Sequence, residues 1–323
     1  MEQTQISVGG ITRDVPSVRV NGKTVMVTGG MLKVAAVKDE DYLEGDVVLS
    51  PEDFLESVRQ DRSFKADLFT FAQKPTDPTP RFGSIYYEWD SVAAIRTTSF
   101  SDWWTNRVSS DLRRDVRKAA KLGVIVKPVE FNDDLVRGIK EIYDEIPMRQ
   151  GGPFWHYKKS LETVKLANAT FPESSEFLGA YFGNELIGFI KIVYVDHLAR
   201  LMQIISKEGH RDKRPTNALI AKAVEHCEAK GCSHLTYGKY HYSSRASTLT
   251  AFKHRNGFDE IRVPKYYIPL TIKGRLALRL RLHHGIKELV PDSLVEFLKR
   301  VRSSVYRQSL SARKSPKVSP RLG

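Results

Sequence analysis

The segment Leu249-Thr-Ala-Phe-Lys-His-Arg-Asn-Gly-Phe258 predicts the end of a helix, a turn and the start of a strand. Phe252 and Lys253 fall in the last helical turns, and Gly257 follows as a residue that can take a positive φ and end the helix. Phe258 then begins an apolar run of the kind found in buried strands. The segment therefore predicts a helix that is followed at once by a strand.

The second half of the chain shows a clear order of elements around this segment. The predicted order is a strand at 176–182, a strand at 186–195, a strand at 199–206, a polar basic loop at 208–214, a helix at 215–230, a strand at 234–237, a helix at 247–256 and closing strands at 258–263 and 266–270. Gly183-Asn184, between the first two strands, is a hairpin signal.

An F-K-x-x-x-G-F sequence, formed here by residues 252–258, follows a strand that ends in Tyr237-Gly238. Together with the order of elements, it resembles the closing segment of the Fem-like branch of the GNAT acyltransferases. The resemblance covers residues 109–270. It implies an α+β fold, with a GNAT-like mixed sheet flanked by helices, and an enzyme that moves acyl or aminoacyl groups onto amines.

The first half also mixes strands with a few helices. Asn21-Gly22 is a two-residue hairpin signal between β-type runs at 16–20 and 23–27, and Ser50 with Pro51 marks a helix start. By the resemblance, we expect two tandem GNAT-like lobes, of which the first is degenerate. Further predictions are no structure at 1–12, a strand at 31–37, a helix at 51–60, a strand at 68–72, a loop at 75–80 and strands at 84–89 and 92–97.

Between the halves, Leu112, Val116, Ala119 and Ala120 fall on one face of a predicted helix. The elements predicted here are that helix at 109–123, a strand at 124–126, a helix capped by Asn132 that runs to 146, and a helix at 157–169. The predicted domains are a degenerate GNAT-like lobe at 1–108, a Fem-like acyltransferase lobe at 109–272, a basic extension at 273–308 with helices at 274–283 and 291–306, and a disordered basic tail at 309–323.

The composition of the 323 residues fits a packed protein, with 41% hydrophobic and 10% aromatic residues. Two cysteines cannot form a disulfide framework, and the start of the chain has no signal-peptide pattern, so we expect a cytoplasmic protein. The apolar run at 177–195 is interrupted by Asn184, Glu185 and Lys191. Because it also carries a hairpin signal, no transmembrane segment is predicted.

The net charge of +13 is concentrated at the end of the chain. Residues 273–323 contain 13 Lys and Arg against 3 Asp and Glu, a charge of +10, which leaves +3 for the first 272 residues. The excess indicates either a solvated end of the chain or a surface that binds RNA, anionic lipid or a polyanionic acceptor. Binding of tRNA and peripheral contact of the tail with an anionic membrane therefore both stay open.

The loop after the strand at 199–206 is the expected donor site. In GNAT enzymes, backbone N–H groups of this loop and of the next helix hold the pyrophosphate of coenzyme A, because a helix N-terminus favours an anion. The resemblance thus implies acyl-coenzyme A as co-substrate, bound by His210, Arg211, Lys213, Arg214, Thr216 and Asn217. The loop lacks the Q/R-x-x-G-x-G/A pattern of coenzyme A-dependent members, and an ordinary solvated loop is the alternative.

Lys253 is the predicted catalytic cation, because Fem-like enzymes place a lysine at this motif position near the acyl carbonyl or the donor phosphates. A fixed cation there would stabilise the charge of a tetrahedral intermediate. Tyr240 and His241 are predicted to face the cleft, as polar aromatic side chains at the carboxyl edge of a sheet commonly do. An ammonium cannot attack a carbonyl, and the base that would deprotonate the acceptor stays open among Glu208, His210, Asp212, Tyr240 and His241.

Two further segments are predicted to bind the substrate. The basic helix at 109–123 resembles the region ahead of the second lobe in Fem-like proteins, and its Arg113 and Arg117 would meet an anionic substrate. Arg149, Gly151 and Gly152 resemble the arginine-glycine segment beside the acceptor site of those proteins, and glycine permits close backbone approach. The alternatives are a solvated helix face and a plain interhelical loop.

No metal site is predicted, because the spacing of His226, Cys227, Cys232 and His234 fits no common zinc pattern. The chain has no nucleophile elbow, P-loop, dinucleotide fingerprint or HExxH sequence. No motif in the sequence therefore indicates a hydrolase, a kinase or a dehydrogenase.

Three functional hypotheses follow. The first is an N-acyltransferase that moves an acyl group from acyl-coenzyme A to an amine on a small molecule or glycan, for example in cell-envelope or polysaccharide biosynthesis. The second is a Fem-like aminoacyltransferase that uses aminoacyl-tRNA, which fits the basic excess. The third is a non-catalytic GNAT-like scaffold that binds a polyanion or a membrane surface.

Overall fold

The computed structural model describes residues 2–8, 11–43, 48, 50–60, 64–149, 152–241 and 248–284. The first half of the chain forms β1 (Glu2–Val8), β2 (Ile11–Val20), β3 (Lys23–Thr28), β4 (Val34–Val37), α1 (Pro51–Gln60), β5 (Leu68–Ala72), β6 (Tyr87–Arg96), the single turn α2 (Phe100–Asp102) with a π-helical continuation (Trp103–Arg107), and α3 (Ser110–Lys121).

The second half continues with β7 (Val124–Val129), α4 (Asp133–Asp144), the two-residue strands β8 (Met148–Arg149) and β9 (Gly152–Pro153), α5 (Leu161–Asn168), β10 (Ser175–Phe182), β11 (Glu185–Val195), β12 (Leu198–Ser206), α6 (Pro215–Ala229), β13 (His234–Lys239), α7 (Thr248–Arg255), β14 (Asp259–Pro269) and α8 (Ile272–Arg279). Short 3₁₀ turns lie at Glu40–Tyr42, Glu208–Lys213 and Leu282–His284.

Among the described residues, one mixed sheet has the strand order β1-β2-β3-β4-β5-β14-β6-β13-β12-β11-β10-β7. Its paired strands are antiparallel except for two parallel pairs, β4 with β5 and β12 with β13. Each parallel pair is connected through a helix, α1 in the first case and α6 in the second. The same unit thus occurs twice, and the prediction of two tandem lobes in a mixed sheet flanked by helices is confirmed.

The two lobes exchange their last strands. We define the first lobe by β1–β5 and the second lobe by β7 and β10–β13. β6 follows β5 in the chain but pairs with β13, with Ile95 opposite Leu235. β14 follows β13 but pairs with β5, with Tyr266 opposite Phe71. Because β6 and β14 also pair with each other, a continuous hydrogen-bonded sheet joins the lobes.

Helices pack on the sheet through three apolar clusters. In the first lobe, Phe54 of α1 stacks on Phe69 of β5, with ring centroids 5.3 Å apart. In the second lobe, α3 and α6 bury Leu112 and Leu219 in one cluster, and α4 buries Ile139 in another against β10 and β11. Each fully buried side chain of this size contributes about 1.5–3 kcal/mol to folding.

Several local predictions are confirmed at the level of backbone geometry. Asn21 and Gly22 both have positive φ, 49° and 75°, as the tight turn between β2 and β3 requires. Pro51 is the first residue of α1. The side chain of Asn132 accepts a hydrogen bond from the Leu135 N–H at 3.0 Å and so caps α4.

The prediction that residues 1–12 are unstructured is wrong, since β1 pairs with β2 along its whole length. β1 is an edge strand, and Glu2, Gln3 and Gln5 are exposed. Its polar residues therefore give little of the apolar signal from which strands are predicted. The helix predicted from residue 157 begins only at Leu161, because Ser160 is its N-cap.

Two pairs of predicted strands are each a single strand. β6 runs unbroken through Asp90 and Ser91, which pair with Val263 and Arg262 of β14. β14 runs through Pro264, whose carbonyl accepts a hydrogen bond from the Gln73 N–H, just past the end of β5. The N and C=O of one residue point to the same side of a strand. The missing N–H of the proline therefore faces the place where β5 has ended, and no ladder bond is lost there.

The helix predicted at 274–283 is present as α8. The helix predicted at 291–306 and the tail at 309–323 lie outside the described residues. The basic C-terminus and the division into four domains therefore stay predictions. Within the described ranges, none of the helices has the length and apolarity that crossing a bilayer requires.

The end of α7 has the geometry predicted from the sequence. Gly257 has φ 71°, its N–H donates to the His254 carbonyl, and the Phe258 N–H donates to the Lys253 carbonyl. These two bonds define a Schellman motif, which satisfies carbonyls that the helix end would otherwise leave unpaired. A Cβ at this glycine would lie 2.7 Å from Nε1 of Trp103, so the position needs both the φ and the absence of a side chain.

We predict that Gly257→Ala lowers the free energy of unfolding by about 2–4 kcal/mol, the sum of a left-handed backbone cost of about 1–2 kcal/mol and the clash with Trp103. Gly123→Ala is the matched control, because Gly123 has φ 87° but open space around its Cβ position. The free energy of unfolding of Gly123→Ala should fall by only about 1–2 kcal/mol. Urea unfolding measures both, and equal losses would show that the contact with Trp103 is unimportant.

Because of the strand exchange, we predict that the second lobe cannot fold without the first. A chain of residues 109–323 lacks β6, which lies between β13 and β14 in the sheet. We expect it to aggregate when it is expressed alone, because β13 loses one neighbouring strand, β6, and β14 loses both of its neighbours, β5 and β6. Co-expression with residues 1–108 should restore a complex that elutes at the size of the intact chain. A monomeric, cooperatively unfolding 109–323 segment would contradict the importance of the exchange.

Candidate functional site

The parallel strands β12 and β13 separate after a short stretch of pairing. They pair only over Leu198–Arg200 and His234–Thr236. Beyond that point β12 continues along β11, to Ser206 opposite Gly188, while β13 continues along β6, to Lys239 opposite Val92. The carboxyl ends of the two strands therefore diverge. In open sheets with parallel strands, ligands commonly bind at such an edge.

Two polar side chains of α7 bind the end of β13. The Lys253 ammonium donates to the carbonyl of Lys239, and the Thr250 hydroxyl donates to the carbonyl of Tyr240 at 3.2 Å. Lys253 is fully buried, with its ammonium 5.1 Å from the ring centroid of Tyr237. Burial lowers the pKa of Lys253 to about 8. Sequence analysis singled out Lys253 but missed Thr250 and this structural contact.

Tyr240 and His241, both predicted as cleft residues, lie directly beside this contact. Their backbone N–H groups donate to the carbonyl and the hydroxyl of Ser91, at 2.9 and 3.1 Å, which fixes them to β6. Nε2 of His241 lies 3.6 Å from the carboxylate of Glu260. Burial, with smaller effects of nearby carboxylates, raises the pKa of Tyr240. The three residues predicted to be catalytic are thus brought together at one strand end.

The first turn of α6 meets the end of α7. Asn217 donates from Nδ2 to Oδ1 of Asn256 at 3.4 Å, and Asn256 immediately precedes Gly257. Thr216 shares a hydrogen bond of 2.8 Å with the hydroxyl of Ser206, the last residue of β12. Thr216 and Asn217 therefore lie at the same diverging strand ends as α7.

The N-terminus of α6 has no side-chain cap. The N-cap residue Arg214 takes a left-handed conformation with φ 57°, and Pro215 follows at the first helical position. The backbone N–H groups of Thr216 and Asn217 have no carbonyl one turn earlier in the helix to bind. Such a helix end attracts an anion through its N–H groups and its dipole.

The basic side chains of the preceding loop are paired with carboxylates. His210 lies 3.1 Å from Glu185, and Arg214 lies 3.3 Å from Asp115 of α3. The remaining pairs are Arg211 with Glu208 at 3.8 Å and Lys213 with Asp212 at 3.5 Å. These contacts neutralise much of the charge that the sequence offers to a phosphate. The pairs with Glu185 and Asp115 could not be predicted, because these two carboxylates lie on distant elements.

Glu145, which the sequence analysis missed, occupies part of the same loop. Its carboxylate accepts hydrogen bonds from the backbone N–H groups of Glu208 and Gly209, at 2.6 and 2.7 Å. Two amides that could bind a phosphate thus bind a side chain of the protein. No sequence pattern connects residues 145 and 208, which are separated by α5 and five strands, β8 to β12.

Arg149 and Arg113, both predicted to bind substrate, make contacts within the protein. The guanidinium of Arg149 donates to the Ser206 carbonyl at 2.8 Å and lies over the ring of Phe154. The guanidinium of Arg113 donates to three carbonyls of the turn before α3, those of Trp104, Thr105 and Val108.

The other predicted substrate residues are Arg117, Gly152 and Gly151. Arg117 is exposed on α3, and Gly152 pairs with Arg149 in the small β8–β9 ladder. Gly151 lies outside the described residues.

The corresponding place in the first lobe is arranged differently. Glu40, which follows β4, accepts a hydrogen bond from the N–H of Ala72 at the end of β5, at 2.9 Å. Burial raises the pKa of Glu40 to about 7. The adjacent Asp41 lies 3.2 Å from the buried Arg200 of the second lobe. The end of this parallel pair thus takes part in contacts between the lobes, which fits a degenerate first lobe.

Residues 136–248 match the family model described as the acetyltransferase (GNAT) family. This part of the chain is therefore similar to the GNAT family. The match runs from α4 to the first residue of α7 and includes the diverging strands β12 and β13. The resemblance to GNAT acyltransferases is thereby confirmed.

Three solved structures share the fold over most of the chain. FemX is 11% identical with a TM-score of 0.55, covering 81% of this chain and 87% of its own. The C-terminal domain (DUF2156) of a protein named as a lysylphosphatidylglycerol synthetase from Agrobacterium fabrum is 14% identical with a TM-score of 0.54, covering 81% and 86%. L-PGS from Bacillus licheniformis is 14% identical with a TM-score of 0.53, covering 82% and 88%. No protein with a curated description matches the chain.

Because Lys253 is buried, we predict that the free energy of unfolding depends on pH. Because its pKa falls from 10.5 in the unfolded chain to about 8 in the fold, the unfolded chain binds more protons between these values. The free energy of unfolding should therefore rise with pH in this window, by about 2 kcal/mol from Lys253 alone. The difference in stability between wild type and Lys253→Met, measured by urea unfolding at pH 7.5 and pH 10, reports this contribution. A difference that does not change with pH would contradict the lowered pKa.

Proposed function

We propose that the protein is an N-acyltransferase that transfers an acyl group directly from a bound donor to an amine. The observation that carries this proposal is the meeting of three features at the diverging ends of β12 and β13. These are the uncapped first turn of α6, the buried cation of Lys253, and the polar aromatic pair Tyr240 and His241. The match of residues 136–248 to the GNAT family supports the same chemistry.

In the proposed mechanism the amine nitrogen attacks the acyl carbonyl carbon, and the bond from that carbon to the donor sulfur or oxygen breaks. The developing oxyanion would be stabilised by the charge of Lys253, which the contact with the Lys239 carbonyl holds in place. His241, beside Glu260, would take the proton released by the amine, and Tyr240 would supply a proton to the leaving group. No covalent enzyme intermediate is needed, so positioning supplies much of the rate.

Acyl-coenzyme A is the first candidate donor. Its pyrophosphate would bind the N–H groups of Thr216 and Asn217 at the start of α6, with His210, Arg211, Lys213 and Arg214 around it. Binding would have to compete with the existing ion pairs of these four side chains, so the helix N-terminus would carry most of the recognition.

Aminoacyl-tRNA is the second candidate donor, and one observation favours it. The loop amides of Glu208 and Gly209 bind Glu145 and so cannot bind a pyrophosphate as well. Only a small anion site is left at the start of α6. A tRNA would instead be held by many basic side chains, and the net charge of +13, of which +10 is in residues 273–323, supplies an excess of them. One structural relative is named for a lysyl derivative of phosphatidylglycerol, an aminoacylated product.

The acceptor in either case would be an amine on a small molecule or a glycan. Arg117, on the exposed face of α3, and the segment around Arg149 and Gly152 are its proposed contacts. We place the reaction in the cytoplasm, where both candidate donors are made. The basic C-terminus would serve as a peripheral contact with an anionic surface.

The role of Lys253 is tested by the pH dependence of turnover. If its cation stabilises the oxyanion, kcat/KM for the wild type falls as the pH rises through about 8, because the ammonium is lost. Lys253→Met should lose about 10²–10³-fold in kcat at neutral pH. Lys191→Met is the control, because Lys191 also has a pKa lowered to about 8 by burial but binds Asn168 and Thr170. It should keep the wild-type pH profile, and unimpaired turnover by Lys253→Met would remove Lys253 from the mechanism.

The donor is tested by steady-state assays with acetyl-coenzyme A and with aminoacyl-tRNA, each offered a panel of amines. Asn217→Asp places a negative charge in the first turn of α6 without changing the size of the side chain. We expect it to raise KM for acyl-coenzyme A about tenfold or more, through repulsion of the pyrophosphate. Asn132→Asp, the same change at the N-cap of α4, should leave KM unchanged.

The possible results separate the three hypotheses. Turnover of acetyl-coenzyme A that Asn217→Asp weakens supports the first donor. Turnover of aminoacyl-tRNA alone, with binding that weakens steeply as salt increases, supports the second. The absence of turnover with both donors and the whole amine panel would favour the non-catalytic scaffold and contradict the proposed transfer.

A further inference from the structure

Glu88, His283 and His284 form a cluster outside the proposed transfer site. Glu88 lies on β6, and the two histidines form the 3₁₀ turn that follows α8. Nε2 of His283 lies 3.2 Å from Oε1 of Glu88, and Nε2 of His284 lies 3.2 Å from Oε1 and 3.0 Å from Oε2. All three ligand atoms lie within 4.8 Å of one another, although the residues are nearly 200 positions apart in the chain.

The surroundings of the cluster hold these side chains in place. The side chain of His283 is only 1% exposed and packs edge-on against the rings of Tyr86 and Tyr267. The Tyr86 hydroxyl donates to Oε1 of Glu88 at 2.7 Å. Metal-binding carboxylates are typically oriented by such an outer hydrogen bond.

The carboxylate of Glu88 faces three polar groups at once. Oε1 accepts a hydrogen bond from Tyr86 and lies 3.2 Å from Nε2 of His283, whereas Nε2 of His284 lies closest to Oε2, at 3.0 Å. In contrast, the pair of His226 and Glu176 has a single imidazole at 2.7 Å.

We propose that Glu88, His283 and His284 bind one divalent transition-metal ion of the zinc type. Ligands about 2.0–2.2 Å from a tetrahedral zinc ion lie about 3.3–3.5 Å from one another. The carboxylate of Glu88 lies at a similar distance, 3.0–3.2 Å, from each imidazole Nε2. Two imidazoles and one carboxylate favour zinc over magnesium or calcium, which prefer oxygen ligands. Three protein ligands leave one position for water or an exogenous ligand.

The bound ion joins the end of the described chain to the centre of the sheet. β6 is one of the two exchanged strands, and the turn at Leu282–His284 directly follows α8. Ile272 and Leu276 of α8 are exposed, as is Leu280 directly after the helix. Only part of the surface of α8 therefore packs against the rest of the protein. The ion thus fixes the position of α8, independently of the proposed acyl transfer.

The test uses the full-length, tag-free protein after treatment with a chelator and dialysis. Zn²⁺ binding is measured by calorimetry, and Co²⁺ binding is followed by its visible absorption, which is intense only for a tetrahedral site. Residues 285–323 contain no His or Cys. We expect one ion per chain, a higher melting temperature with Zn²⁺, and a tetrahedral Co²⁺ spectrum.

The ligand variants are Glu88→Gln, which keeps the size of the side chain, and His283→Ala and His284→Ala. Each should weaken Zn²⁺ binding more than tenfold and abolish the Co²⁺ spectrum. His226→Ala is the matched control from an ordinary histidine–carboxylate pair and should bind like the wild type. Glu88→Gln keeps the size of the side chain and so leaves no cavity. If the alanine variants fail to fold, this variant still tests the site. Absence of one-to-one binding, or equal binding by Glu88→Gln and the wild type, would overturn the proposal.

Discussion

The antiparallel pairing of β6 with β14 is the interaction on which the rest of the structure depends. It runs over eight residue pairs, from Asp259 opposite Ala94 to Tyr266 opposite Tyr87, in the middle of the sheet. Each of these strands closes the lobe opposite to the one that precedes it in the chain. Neither lobe therefore completes its own sheet, and the two must fold around this shared pair. A continuous sheet also keeps the lobes from moving independently, since movement would break a row of backbone hydrogen bonds.

This pairing also determines where α7 lies. The helix connects β13, which pairs with β6, to β14, which pairs with β6 from the other side. The Schellman motif at Gly257 sets the angle at which the chain leaves α7 and enters β14. The side chains of Thr250 and Lys253 reach the end of β13 as a consequence. The candidate transfer site is therefore built by the sheet rather than by a flexible loop, which suits a reaction that relies on positioning.

Much of this could be predicted where the chemistry is local. The turn at Asn21-Gly22, the cap of α4 at Asn132 and the helix end at Gly257 each follow from the conformational preferences of one or two residues. The order of elements in the second half follows from apolar runs bounded by turn signals. Lys253, Tyr240 and His241 could be selected because they adjoin these elements, and the structure brings them together.

What could not be predicted depends on contacts between distant segments. The exchange of β6 and β14 leaves no trace in the pattern of either strand, and β14 was predicted as two strands, at 258–263 and 266–270. The charges at His210 and Arg214 are balanced by Glu185 and Asp115, and Glu145 takes two loop amides, through folding that brings remote residues together. The cluster of Glu88 with His283 and His284 has no sequence motif for the same reason.

The measurement that most directly tests the central claim is amide hydrogen exchange with and without a saturating donor, read by mass spectrometry at single-peptide resolution. The claim is that the donor binds where β12, β13 and the first turn of α6 meet. We predict slower exchange at Thr216 and Asn217 and at residues 239–241, with no change around Glu40 and Ala72 at the corresponding place in the first lobe. Protection confined to the first lobe, or no protection at the start of α6 under conditions of proven donor binding, would contradict the account.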